Sequence, residues 1–375
     1  MNHSKQMALF LMAGLMLTAT MAPAQTQVWS QDGPPPRYQH TAIYDPIANV
    51  MVAFGGNTDA GTLLNDVWNL VGAFPANSKT FLTETWAQVS ASGTPPAARF
   101  GHTAVYDPVS NRMMVFGGSL NTASTSCTND FWILDGANSA RGTPTWIQMT
   151  ASGTLPGART GHKAVYDTTT NSMILFGGTD CAGHYYSDLW VLSNANGQTG
   201  TPQWSKLAPS VSPGARQECG MVYDTTNNIV IIYGGDKGSI STPYSDVWTV
   251  SHANGTGGTP VWTLLSPAGK APTARTQLTA TLDSMTNRMT VFGGIKGTHI
   301  AGDTWVLINA NGVLSSSWLQ LTNATAMAPL RYSHSAVYNN SVNQMIVFGG
   351  LDSFSPSQDD HVFDLSSANG IKTKP

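Results

Sequence analysis

A Gly-Gly pair closes an apolar run six times in this 375-residue chain, and that repetition constrains the fold more than any other feature. The runs end at Phe54-Gly55-Gly56, Phe116-Gly117-Gly118, Phe176-Gly177-Gly178, Tyr233-Gly234-Gly235, Phe292-Gly293-Gly294 and Phe348-Gly349-Gly350, spaced 62, 60, 57, 59 and 56 residues apart. The second unit carries the full pattern: Arg99-Phe-Gly-His102, Ala104-Val-Tyr-Asp107, Met113 to Gly118, Asp130-Phe-Trp132 and Trp146 to Met149. Each unit therefore predicts four short strands, labelled a to d here. An a–b hairpin is expected where Asp precedes Asn by four residues, at Asp45/Asn49, Asp107/Asn111, Asp167/Asn171, Asp224/Asn228 and Asp283/Asn287, with Asn339/Asn343 in the sixth unit. Asp accepts backbone N–H groups in such a turn, and Asn tolerates the left-handed conformation. The Gly pair lets the chain leave strand b with positive φ where a neighbouring backbone passes close.

All eleven Trp fall into this pattern. Trp68, Trp132, Trp190, Trp248 and Trp305 follow an Asp by two residues on strand c, and Trp86, Trp146, Trp204, Trp262 and Trp318 open strand d. Trp29 remains, in Val28-Trp-Ser-Gln31, and reads as a strand d at the wrong end of the chain. The sixth unit stops after its strand c, Asp360-His-Val-Phe363. A displaced strand of this kind closes a ring of radial sheets, whereas an open solenoid needs polar caps. The expected fold is all-β: a six-bladed propeller of four-stranded blades, the last completed by the strand around Trp29.

Arg-x-Gly-His, the Gly pair after an apolar strand, and Asp-x-Trp followed by a second Trp resemble the kelch repeat, over essentially the whole chain after residue 24. The resemblance implies a β-propeller. It also implies a binding face, because arginines at the matching position of kelch adaptor proteins contact an acidic peptide. The units are longer than typical kelch units, mainly between strands c and d, where Ala195-Asn-Gly197, Ala253-Asn-Gly255, Ala310-Asn-Gly312 and Ala368-Asn-Gly370 recur.

Residues 1–24 read as a signal peptide: Lys5, the apolar stretch Met7 to Met21, then Ala22-Pro23-Ala24 as a cleavage pattern. The mature chain, 25–375, is then an exported propeller, secreted or periplasmic, with no transmembrane segment, and a monomer. Export permits a disulfide, expected between Cys127 and Cys181 in the b–c loops of adjacent units. Cys219, on an inner strand, should be a buried thiol.

With strands alternating in direction, the d–a and b–c loops share one face, and the a–b turns and c–d loops share the other. Arg37, Arg99, Arg159, Arg216, Arg275 and Arg331 stand at the start of the innermost strand, where they would ring the channel mouth as ligand-binding residues. The simpler alternative pairs each with the Asp before strand c (Asp66, Asp130, Asp188, Asp246, Asp303, Asp360), because repetition tracks architecture. His40, His102, His162 and His334 follow four of these arginines, whereas Cys219 and Leu278 fill the slot in the fourth and fifth units. Glu218 departs from the repeat, standing where Gly101 and Gly161 stand, and is the candidate ligand contact or general acid–base. His184 and His299 match no metal spacing, and no cofactor or metal is implied.

A net charge of −3 gives no support to a nucleic-acid or anionic-membrane partner, and charged residues at 10%, against roughly 25% in ordinary domains, argue against helical bundles. The leading function is an exported binding module holding a protein or carbohydrate ligand, acidic in character, on the d–a/b–c face. Tyr185, Tyr186, Tyr244 and Phe354 are candidate stacking groups there. The alternatives are a sugar-modifying enzyme resembling the periplasmic sialic-acid mutarotase, with Glu218 and Arg216 as its catalytic pair, and a structural component of a cell-surface assembly.

Overall fold

The computed structural model describes residues 33–74, 85–323 and 329–352, together with strands Thr20–Met21, Gln25–Thr26 and Val362–Ser366. Every regular element among them is a strand. In the second sheet, Thr103–Asp107, Arg112–Ser119, Cys127–Asp135 and Thr145–Met149 are strands a to d, paired antiparallel in sequence order. The same a–b–c–d order builds the first, third, fourth and fifth sheets, which begin at Thr41, Lys163, Gly220 and Thr279. The protein is thus an all-β propeller with five four-stranded blades. A sixth sheet contains Ser335–Asn339, Gln344–Phe348 and Val362–Ser366, and Gln25–Thr26 pairs antiparallel with its edge at Phe363 and Asp364. Thr20–Met21 pairs parallel with the outer strand of the fifth sheet. Trp29, Phe354, Asp360 and Asn369 lie outside the described residues.

Local chemistry follows the repeat. Asn49, Asn111, Asn171, Asn228, Asn287 and Asn343 all have φ between 51° and 55°, and the Asp at the turn start accepts the amide two residues on, as Asp107 Oδ1 does from Val109 at 3.0 Å. Strand b is buried on both faces, whereas strand d alternates buried Trp with exposed neighbours. Each strand-d Trp packs on the aromatic that ends strand b of the preceding sheet, for example Trp146 on Phe54 and Trp204 on Phe116, with centroids 5.0 Å apart. These contacts pack neighbouring sheets into the hydrophobic clusters of the core.

The Gly pair does what its spacing predicts. Gly118 N–H donates to the Arg159 carbonyl of the next sheet at 2.9 Å. A Cβ on Gly117 would lie 2.9 Å from that same oxygen, and Gly117 and Gly118 have φ of 66° and 107°. No other residue fits both the conformation and the approach.

The recurring Ala-Asn-Gly, expected only as extra loop length, bridges sheets on the a–b/c–d face. Asn196 donates to Asp107 Oδ2, Asn254 to Asp167 Oδ2 and Asn311 to Asp224 Oδ2, at 2.7 to 2.8 Å. Asn138 does the same to Asp45. Each loop thereby fastens its own sheet to the preceding one.

Candidate functional site

The six arginines are buried within the sheets and do not ring the ligand face. Their side chains are at most 2% exposed. Arg99 shows the shared geometry: Nη1 and Nη2 donate to Asp130 Oδ1 and Oδ2 at 2.6 and 2.8 Å, Nη1 also to Gly117 O, and Nε to Ala97 O. Arg37, Arg159, Arg216 and Arg275 fork in the same way onto Asp66, Asp188, Asp246 and Asp303. Arg331 donates to Gly349 O and Pro329 O. The Asp carboxylate also accepts the strand-c indole, as Asp130 does from Trp132 at 2.7 Å. Burial pushes these carboxyls up, but the Arg and Trp hydrogen bonds outweigh it and hold Asp66, Asp130, Asp188, Asp246 and Asp303 below the usual range. A guanidinium paired this way has no face left for a ligand. Two of the proposed stacking aromatics serve the same lattice: the guanidinium carbons of Arg159 and Arg216 each lie 4.1 Å from the ring centroids of Tyr186 and Tyr244.

Behind the arginines runs a second layer of links between sheets. Nε2 of His102 bonds Thr41 at 2.9 Å, His162 bonds Thr103 at 3.0 Å, His334 bonds Thr279 at 2.8 Å, and His40 bonds Ser335 at 2.8 Å. Each His edge also meets a strand-b Phe, such as Phe54 for His102. Burial and the neighbouring Arg99 depress the His102 pKa to about 3, and His40, His162 and His334 are lowered for the same reasons. These imidazoles are neutral packing groups.

The link is replaced at two adjoining junctions. Between the third and fourth sheets, Lys163 stands in the Thr slot, opposite Cys219 and Glu218; between the fourth and fifth, Gly220 stands opposite Leu278. Lys163 Nζ lies 2.7 Å from Glu218 Oε2, with the Lys side chain 29% and the Glu side chain 10% exposed. Gln39 Nε2 reaches the other carboxylate oxygen at 3.4 Å. Cys219 is a buried thiol, pushed by burial to about 11, and is not a nucleophile at neutral pH. Lys163 is the candidate site residue that the sequence reading missed. Its signal was the same broken repeat that isolated Glu218, read one slot further along.

Glu218 is held by the backbone. Gln39, Gly101, Gly161, Glu218, Gln277 and Ser333 all have φ between 50° and 65°. Each donates its N–H to the carbonyl of the equivalent residue one sheet back, at 2.8 to 3.0 Å, and the six bonds close on themselves when Gln39 donates to Ser333. Residues of this ring line two neighbouring cavities, which share Gln39, Glu218 and Gln277. One, of about 200 Å³, is the channel lined by Thr41, His102, Lys163, Glu218 and Thr279. The other, of about 320 Å³, opens outwards past Gln217, Tyr38, Tyr185 and Thr179 on the d–a/b–c face. Gln217 is itself tethered to Asp236 at 3.2 Å, and Asp236 accepts from Thr276 at 2.6 Å. Cys127 and Cys181 form the expected disulfide, with Cα atoms 5.6 Å apart, and Cys181 lines the funnel rim. His184 and His299 sit in b–c loops, outside the residues that line the funnel.

Radial four-stranded sheets, cross-linked by a repeated Arg–Asp–Trp triad and converging on an axial cavity, define a repeat-built β-propeller of the kelch class. The chain belongs to the kelch-repeat family: the family described as KLHDC2/KLHL20/DRC7 Kelch-repeats domain matches residues 14–139, 78–256 and 256–374. Kelch domain-containing protein 3 of Rattus norvegicus is 27% identical over 263 residues, covering 69% of this chain and 61% of that protein. Tip elongation aberrant protein 1 of Schizosaccharomyces pombe is 27% identical over 57% of this chain and 17% of its own length. Human Host cell factor 2 is 26% identical over 71% of this chain and 32% of that protein. The chain thus spans less than two thirds of each of these relatives. A solved structure titled "Structure of YjhT" superposes with a TM-score of 0.60 over 89% of this chain and 96% of that one, at 15% identity, a likeness of fold alone.

Proposed function

We propose that this chain is an exported binding module that takes a protein or glycan ligand into the funnel on the d–a/b–c face, contacting Glu218, Lys163, Gln39, Gln277 and Tyr185. One observation carries this reading. The residues that break the repeat (Lys163, Glu218, Cys219 and Leu278) converge on one open cavity, while the repeated charges are buried in pairs. Function requires asymmetry, and this is where the asymmetry collects. The test is calorimetric titration of ligands selected on glycan and peptide arrays. Glu218→Gln and Lys163→Met should each weaken binding at least about tenfold, and unchanged affinity in both would remove the funnel as the site.

The Glu218–Lys163 pair also favours a second reading, a sugar-modifying enzyme. In opening a cyclic hemiacetal, the Glu218 carboxylate would take the anomeric hydroxyl proton while Lys163 protonates the departing ring oxygen. Lys163 replaces Arg216 in this role, because Arg216 is held by Asp246. Polarimetry of a fresh sugar solution with and without protein decides between binding and catalysis.

The same proposal takes the sixth sheet as a sixth blade completed by the N-terminal segment, the mature chain as a monomer, and residues 1–24 as a cleaved signal. Its supports are the Gln25–Thr26 pairing, the packing of Trp86 on Phe348 across that junction, and a disulfide suited to an oxidising compartment.

A further inference from the structure

The face opposite the funnel, built from a–b turns and c–d loops, also departs from its repeat. The first two turns carry Pro46-Ile47 and Pro108-Val109, where the third and fourth carry Thr168-Thr169 and Thr225-Thr226. Ile47 and Val109 are 78% and 77% exposed. The turn itself does not ask for them, since it uses only their backbone amides, which Asp45 and Asp107 accept. Thr169 makes the equivalent bond to Asp167 equally well. Beside the two aliphatic tips lies a cavity of about 480 Å³ lined by Tyr44, Pro46, Tyr106, Pro108, Tyr338 and Asn339. Its tyrosines are fixed: their hydroxyls donate to Asn49, Asn111 and Asn343 at 2.8 to 3.0 Å. Met285, Val313 and Leu314, also well exposed, lie on the same face. Exposed aliphatic groups flanking a preformed aromatic and proline-lined cavity mark an interaction surface.

Charge identifies the occupant. Asp45, Asp107, Asp167, Asp224 and Asp283 start the turns of this face and lie buried beneath it, at most 5% exposed. Burial pushes the Asp107 and Asp167 carboxyls up, but hydrogen bonds from Ser110 and Asn196, and from Thr170 and Asn254, bring both below the usual range, so they are anionic. The cations described on this face are Arg112, which pairs with Asp135, Arg141, and Arg288, opposite Asp283. Among the described residues the excess is negative. A second copy docking face to face would bring two such acidic sets together, whereas a basic partner is drawn in.

We infer that this face docks an extended, basic segment of a partner protein. The segment seats a proline or aliphatic side chain among Tyr44, Tyr106 and Tyr338, and holds a Lys or Arg in the field of Asp45 and Asp107. Cation–π contact with the tyrosine rings supports the same chemistry. The surface is independent of the funnel, so either can fail without the other.

The test pans a phage-displayed library of random short peptides against the full chain, then titrates enriched peptides by fluorescence anisotropy. Enrichment in Lys or Arg together with Pro, Leu or Ile is expected. Affinity should fall at least about tenfold in Ile47→Ser/Val109→Ser and in Pro46→Thr/Pro108→Thr, weaken with added salt, and survive Glu218→Gln. Thermal melts would check that the turn variants fold. The proposal is overturned by acidic or composition-neutral peptides, by binding that ignores both double substitutions, or by binding that Glu218→Gln abolishes. Concentration-dependent self-association lost in the same double variants, or adsorption to phosphatidylglycerol vesicles without peptide binding, would assign the face to another occupant and equally overturn it.

Discussion

Four junctions between neighbouring sheets are joined by a His hydrogen-bonded to Thr or Ser, and the two flanking the fourth sheet are not. The four are near copies of one another, with the same imidazole, the same hydroxyl and the same Phe beneath. At the other two, both partners changed together: Thr became Lys163 where His became Cys219, and Thr became Gly220 where His became Leu278. A Cβ on Gly220 would lie 2.8 Å from Ala280 Cβ and 3.2 Å from Leu278 Cδ1, so the loss of the hydroxyl accompanies the loss of the imidazole. The difference teaches that the polar link is dispensable to the ring. The Arg–Asp pairs and the Trp-on-aromatic contacts run on through both sectors, so two junctions can carry chemistry instead.

If that is right, the deepest damage comes from the shared lattice and falls on both sectors alike. Arg99→Ala and Arg216→Ala should each cost about 3–5 kcal/mol, because each leaves a half-buried carboxylate without its cation. Urea denaturation checks this, and a much smaller loss for Arg216→Ala would mean that the altered sector is held by something else. The acid response should instead separate the sectors. With His102 depressed to about 3 from an ordinary 6.5, the unfolded chain binds protons that the folded one refuses. Stability is therefore full above pH 6.5 and lost as pH falls towards 3. In His102→Gln, the loss between pH 7 and 5 should be smaller by about 1–2 kcal/mol, whereas Cys219→Ser leaves the slope unchanged. The smallest effect is the most specific. Lys163→Thr with Cys219→His rebuilds the link at the third junction and should add about 1 kcal/mol while abolishing ligand binding in the funnel. A rebuilt junction that still binds ligand would show that the altered sector is not the site.

The propeller was legible because its determinants are local and repeated. A Gly pair, an Asp–Asn turn and a Trp two residues after an Asp each act within one sheet or its neighbour. The arginines were misplaced for a related reason: position at a strand start puts them near the channel, but only the direction of the side chain decides whether they face it. They run back under strand c to Asp residues 28 to 31 positions away, the simpler of the two alternatives that the repeat offered. The Asn of Ala-Asn-Gly bonds an Asp some 87 to 89 residues distant, a pairing with no local signature. Glu218 was legible as a break in the pattern, and its partner Lys163 was not, since a lysine on a strand reads as an ordinary solvated residue until its slot is compared with Thr41, Thr103 and Thr279.

The closed cycle of six amides at the channel mouth has an electrical consequence. All six peptide dipoles follow one another around the axis in a single rotational sense, so their components along it contribute little. A helix terminus presents a built-in partial charge to whatever approaches it; a mouth rimmed by a circulating ring of amides presents almost none. The left-handed conformation at each rim position admits Gly, Gln, Glu or Ser at a cost of about 1–2 kcal/mol for the non-glycine residues. Selectivity at such an opening is therefore written in side chains, those at the rim and neighbours such as Lys163, and not in the ring of amides that carries them.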